Sequence, residues 1–208
     1  MLTHIRHSEK VFIMKRLLLI LILTFSFQTW TKADDIRDFQ IEGMSIGDSA
    51  LDFFTKNEIN NSENAKYPNK KFYDVFTHSS KFKKYDSVTL SFKPGKYKIY
   101  AIGGTIDYRS KSFNECLKDK KKITKEVKSI FSNSKLIDSG LYQTPDLTDN
   151  KSKRSQVEII LDKTRELITV DCVNWSIKTE KKQGWGDNLS ITLYSKEYEM
   201  FLRNEAHN

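Results

Sequence analysis

The stretch Ser112 to Phe131, SFNECLKDKKKITKEVKSIF, constrains this chain most. Apolar residues recur there at Phe113, Cys116, Leu117, Ile123, Val127 and Ile130, the i, i+3, i+4, i+7 spacing of an amphipathic helix. Ser112 and Glu115 form a capping box, in which hydroxyl and carboxylate each satisfy a backbone N–H left free at the helix start. Cys116 falls on the apolar stripe, so its sulfur points at whatever the helix covers. Only one other cysteine exists, Cys172, in the strand-like run LITVDCVNW. With a period of two, Ile168, Val170 and Cys172 share one strand face. If that face is core, the helix lies across it and the two sulfurs meet. The spacing thus predicts a helix stapled to a strand.

The N-terminus indicates the compartment in which such a staple forms. Lys15 and Arg16 precede an apolar run from Leu17 to Phe27, and Thr31-Lys32-Ala33 offers small residues at the −3 and −1 positions of a cleavage site. Residues 1–33 therefore read as a signal peptide, with Met14 the more natural start. The run is short of the roughly 20 apolar residues of a membrane-spanning helix. The alternative is an uncleaved segment that tethers the chain to the inner membrane. Export places the two cysteines in an oxidising compartment, the periplasm, where a lone pair normally joins. The chain carries a formal +8, of which residues 1–33 supply half. The rest is mildly basic, without the arginine-rich, aromatic-interleaved clusters of nucleic-acid readers.

Residues 34–208 read as a single domain. Ile36 to Ile41 alternates as an extended entry. Ser45 and Asp48 predict a short helix from Ile46 to Phe54, and Thr55 with Glu58 predicts a second. Phe72–Phe76 and Tyr85–Phe92 read as strands. Pro94-Gly95 turns the latter into a return strand, Tyr97–Tyr108, with a bulge expected at Gly103-Gly104. Ser132–Lys153 reads as irregular. Val157–Leu161, Leu167–Trp175 and Leu189–Leu193 alternate as strands, Lys178–Gln183 as a charged loop, and Ser195 caps a terminal helix, Lys196–Arg203. This order predicts an α+β fold: an antiparallel sheet built from hairpins, with helices packed on one face and a helix-to-strand disulfide.

The opening FQIEGMSIGDSALDFF, with YKIYAIGGTIDY, the Glu115-Cys116 and Asp171-Cys172 pairs and GWGDNLSI, resembles a group of small secreted bacterial proteins of unassigned function. Ala50 stands where that group carries leucine, a packing difference. The resemblance covers nearly all of the mature chain. It implies a periplasmic protein with a cysteine pair and brings no activity. More distantly, the Gly-Met-Ser start followed by a hairpin looks like envelope-assembly modules of the BamE type, a likeness of fold alone.

Catalytic chemistry finds little to stand on. Past residue 33 only His78 and His207 remain, and neither has relay partners by spacing. Asp48 and Asp52 lie one helical turn apart, but Asp48 is better placed to cap. Asp146, Asp149 and Asn150 lack the glycine and terminal glutamate of a calcium-binding EF-hand loop. No His/Cys set has metal-ligand spacing, so neither a catalytic residue, a metal nor a cofactor is expected. The lysine row Lys118, Lys121, Lys122, Lys125 and Lys128 reads as a solvated helix face. Trp185, between two glycines and beside Lys181 and Lys182, is the candidate partner-binding residue; its competing reading is a ring folded back on the sheet edge. The expectation is a non-enzymatic periplasmic module that binds an envelope protein or an anionic envelope headgroup, and no nucleic acid. The alternatives are a small hydrolase built on carboxylates such as Asp86 or Asp107, and a secreted inhibitor using the Gly184–Gly186 loop.

Overall fold

The computed structural model describes residues 35–145 and 148–206. The expected signal peptide, Asp146 and His207 lie outside the described residues. Eight strands form one antiparallel sheet: β1 Glu63–Lys66, β2 Tyr73–Thr77, β3 Ser87–Phe92, β4 Ala101–Asp107, β5 Ser134–Gln143, β6 Lys153–Leu161, β7 Leu167–Asn174 and β8 Asn188–Tyr194. Their spatial order is β1-β2-β3-β4-β8-β7-β6-β5. Two four-strand meanders thus meet at β4 and β8. Between them the chain crosses one face of the sheet through α2, Phe113–Ile130. Shorter helices are α1 Lys56–Asn61, α3 Ile177–Gln183 and α4 Lys196–Asn204. No helix among the described residues is long and apolar enough to cross a membrane.

The period of two gives the sheet unlike faces. Leu90, Ile102, Leu193 and Ile168 fall in one row of the inner face, beside Val170 and Ile191. The outer face carries the row Thr89, Gly103, Thr192 and Thr169. α2 buries Cys116 and Val127 in the inner core, where Ile36, Ile41, Met44 and Ala50 from the N-terminal turns join them. Fully burying one such aliphatic side chain contributes about 1.5–3 kcal/mol. The disulfide between Cys116 and Cys172 spans a Cα–Cα distance of 5.9 Å and ties α2 to β7. The α+β class, the antiparallel hairpin sheet and the helix-to-strand disulfide are as the sequence predicts.

α4 departs from the expectation that the helices share a face. Its Tyr198 and Phe201 pack against Phe72 and Ala101 on the outer face. The Phe72 ring lies 5.0 Å from Tyr198 and 4.8 Å from Phe201. Tyr198 also donates to Asp74, which accepts from Ser91 and Tyr67 as well, at 2.7, 2.7 and 2.9 Å. Other differences are local. Ile36–Asp38 forms a 3₁₀ turn rather than an extended entry. Ser45 and Asp48 do pair, the Ser45 N–H donating to the Asp48 carboxylate at 2.8 Å, but Gly47 at φ 95° breaks the helix they would start. Only a 3₁₀ turn, Ala50–Asp52, follows, capped by Ser49. The box at Thr55 and Glu58 does open α1.

Gly103 and Gly104 are not a bulge. Both sit in unbroken register with β3 and β8. A Cβ on Gly104 would lie 2.5 Å from the Tyr85 ring, and one on Gly103 would lie 2.8 Å from the Thr192 hydroxyl. Close approach explains the pair. The segment Ser132–Lys153 holds β5, an edge strand with a register shift between Asp138 and Leu141. Lys178–Gln183 is helical, within α3.

Candidate functional site

At one end of the sheet, four segments distant in sequence converge. β7 ends at Asn174 and delivers Trp175; β4 ends at Asp107, followed by Arg109; β8 begins at Asn188 behind the Gly184–Asp187 loop; His78 and Asp86 come from the β2–β3 connection. Together they line a cleft of about 590 Å³. Because β8 lies between β4 and β7, the three strand ends are neighbours only in space.

Local chemistry fixes the loop. The Ser176 hydroxyl accepts from the Thr179 N–H and starts α3, which Gly184 ends in the left-handed conformation at φ 71°. The chain then reverses and presents Trp185. Gly186 serves a different purpose: a Cβ there would lie 2.7 Å from Cδ and Nε of Arg109. The two glycines around Trp185 therefore answer separate demands, a helix stop and the passage of an arginine.

Trp185 is 41% exposed. Its ring lies 4.7 Å from that of Trp175, tilted by 51°. Both readings of Trp185 meet here, since the indole leans on the sheet end yet keeps one side open to the cleft. Asp187 holds the platform together, accepting from the Trp175 N–H at 2.7 Å and from the Asn174 amide. Asp107 accepts from the Arg109 N–H and Nε at 2.8 Å each and forms an ion pair with the guanidinium. That arginine holds the Asp107 carboxyl below its ordinary range. Asp86 accepts from the Asp107 N–H at 2.8 Å, and its backbone carbonyl lies 3.2 Å from His78 Nδ1. The lining thus sets three aspartates against one arginine, around an aromatic pair.

Lys181 and Lys182 stand in the last turn of α3, outside the residues that line the cleft. Trp175, Asp187 and Arg109 complete the site, and sequence reasoning missed them. The one available signal was a second tryptophan ten residues before Trp185. The carboxylates Asp86 and Asp107 do share this cleft, whereas Asp48 caps its own turn. Asp149 accepts from the Ser176 hydroxyl at 2.7 Å and braces the start of α3. Among the described residues no group of three or more His, Cys, Asp or Glu is placed to hold a metal ion.

No protein-family model matches the chain, and no curated protein matches it in sequence. Among solved structures, the Saccharomyces cerevisiae Ran-binding protein Mog1p is similar over 71% of this chain and 85% of that one, at 11% identity and a TM-score of 0.29. A likeness so slight carries no argument.

Proposed function

We propose that this is an exported, non-enzymatic binding module of the periplasm, and that an envelope protein seats on the Trp175/Trp185 cleft. The observation that carries the reading is Trp185 itself, an aromatic ring two-fifths exposed at a cleft and backed by a second indole. Exposed aromatics in preformed recesses are typical anchors of protein interfaces. The charge of the lining refines the partner. Asp86, Asp107 and Asp187 against Arg109 favour a cationic or donor-rich group and disfavour an anionic headgroup here. The resemblance to secreted bacterial proteins supports the compartment. The hydrolase alternative draws on Asp86 and Asp107 lining one cleft. Against it, Asp107 is tied to Arg109 and held ionised, so it makes a poor general acid.

The test is capture from envelope extract with wild type and Trp185→Ala side by side, followed by reconstitution of the captured protein with the purified chain. The reading predicts a partner that reconstitutes with wild type and is lost with the variant. A partner held equally by both proteins, or none held by either, contradicts it.

A further inference from the structure

A second cleft, of about 700 Å³, lies on the inner side of the sheet between α1, β2 and the β3–β4 hairpin. Its floor is apolar: Ile59 and Val75 are buried beneath it, and the rings of Tyr73 and Tyr97 line it. Its rim is cationic. Lys66 at the end of β1 and Lys70 in the following turn line it, and the Lys56 ammonium stands 5.9 Å from the Tyr97 ring centroid. No carboxylate lines the cleft. Among the described residues none of these three lysines has a carboxylate partner, and neither the Tyr73 nor the Tyr97 hydroxyl has a hydrogen-bond partner. Lys71 and Lys93, nearby in sequence, do pair, with Glu205 and Glu197.

An apolar trough with unmatched cations and free phenol donors at its mouth is complementary to one chemistry: an aliphatic body carrying an anionic head. We propose that this cleft binds a single-chain anionic amphiphile, its acyl chain along the Tyr73 and Tyr97 rings and its carboxylate or phosphate head between Lys66 and Lys70. Burial, then the neighbouring Tyr97, raises the Tyr73 phenol above its ordinary value, so it stays a protonated donor. This site is separate from the Trp175/Trp185 cleft, shares no lining residue with it and stands whether or not a protein binds there. It also accounts for the anionic envelope component that the aspartate-lined cleft does not suit.

The test uses protein purified from cells that make the full chain, titrated calorimetrically below micelle formation. The probes are dodecyl phosphate, dodecanoate, dodecyltrimethylammonium, inorganic phosphate and phosphatidylglycerol vesicles. The proposal predicts saturable one-to-one binding of the first two, and none of the cationic amphiphile. Lys66→Glu with Lys70→Glu weakens binding roughly tenfold or more. Asn64→Trp, at an exposed rim position, fills the cleft without changing charge and abolishes binding. Equal binding of the cationic amphiphile, binding of inorganic phosphate as tight as dodecyl phosphate, uptake by vesicles alone, or an unaffected Asn64→Trp variant would each overturn it. A Trp185→Ala control that binds dodecyl phosphate normally keeps this result distinct from the fate of the protein-binding reading.

Discussion

Two glycines and one glutamate show how much is decided by single side chains. Gly104 lies under the face of Tyr85 and Gly186 beside the flexible end of Arg109. Alanine at Gly104 must displace a largely buried ring, and overpacking of that kind costs about 1–3 kcal/mol. Alanine at Gly186 displaces only a side chain that can swing into solvent. Urea unfolding should therefore show Gly104→Ala clearly less stable than Gly186→Ala; the reverse order would mean that the Tyr85 contact is not tight. Glu166 behaves unlike the other shifted carboxylates. Burial, foremost, raises its pKa above the ordinary 4.5, and its Oε2 is buried without a hydrogen-bond partner. A carboxyl raised in the fold stabilises it below the unfolded value, and that stability is lost as pH climbs through the folded value. Asp107 has the opposite sign: its contribution is present above the unfolded value and lost as pH falls through the depressed one. Glu166→Gln is accordingly predicted to remove the loss of stability that sets in above the unfolded value and to be at least as stable as wild type at pH 7. A variant less stable there would show that the charged carboxylate is an asset. Neither effect was legible in the sequence. A glycine pair in a strand reads equally as a bulge or a close approach, and the choice rests on a tyrosine from the β2–β3 connection.

At the scale of elements, legibility followed burial. α2 carries a capping box and an apolar stripe, and it forms over Phe113–Ile130 as read. β6 and β8 alternate between buried and half-buried residues, and β7 is buried at nearly every position, so all three are plain in the sequence. β1 and β5 lie at the two edges of the sheet, where β5 is exposed along nearly its whole length. Edge strands need no alternation, so composition made both look like loop. α3 was hidden by its run of charges and is recognisable chiefly by its ends, Ser176 and Gly184. The disulfide is the strongest bond between elements. It joins residues 56 apart, and the chain-entropy treatment gives ~4 kcal/mol for a loop of that length. Replacing both cysteines by alanine is predicted to remove about 2–4 kcal/mol in denaturant titration while leaving the far-ultraviolet circular dichroism unchanged. Loss of less than about 1 kcal/mol would mean that packing alone holds α2 on β7.

For the whole molecule, topology assembles the site. Trp185 was legible as a residue, because glycines on both sides set it apart. Its setting was not, because the order β4-β8-β7 brings together Asp107, Asn188 and Trp175, which lie far apart along the chain. Fractionation of cells expressing the full chain is predicted to release it by osmotic shock with a new N-terminus near Asp34. Retention of residues 1–33 in the membrane pellet would favour the tethered form. The most direct test of the Trp185 site is a calorimetric titration of the reconstituted partner against wild type and Trp185→Ala. A hot-spot tryptophan is worth about 2 kcal/mol or more, so the variant should bind roughly thirtyfold more weakly. Equal affinity would place the partner elsewhere and leave Trp185 a packing residue on Trp175.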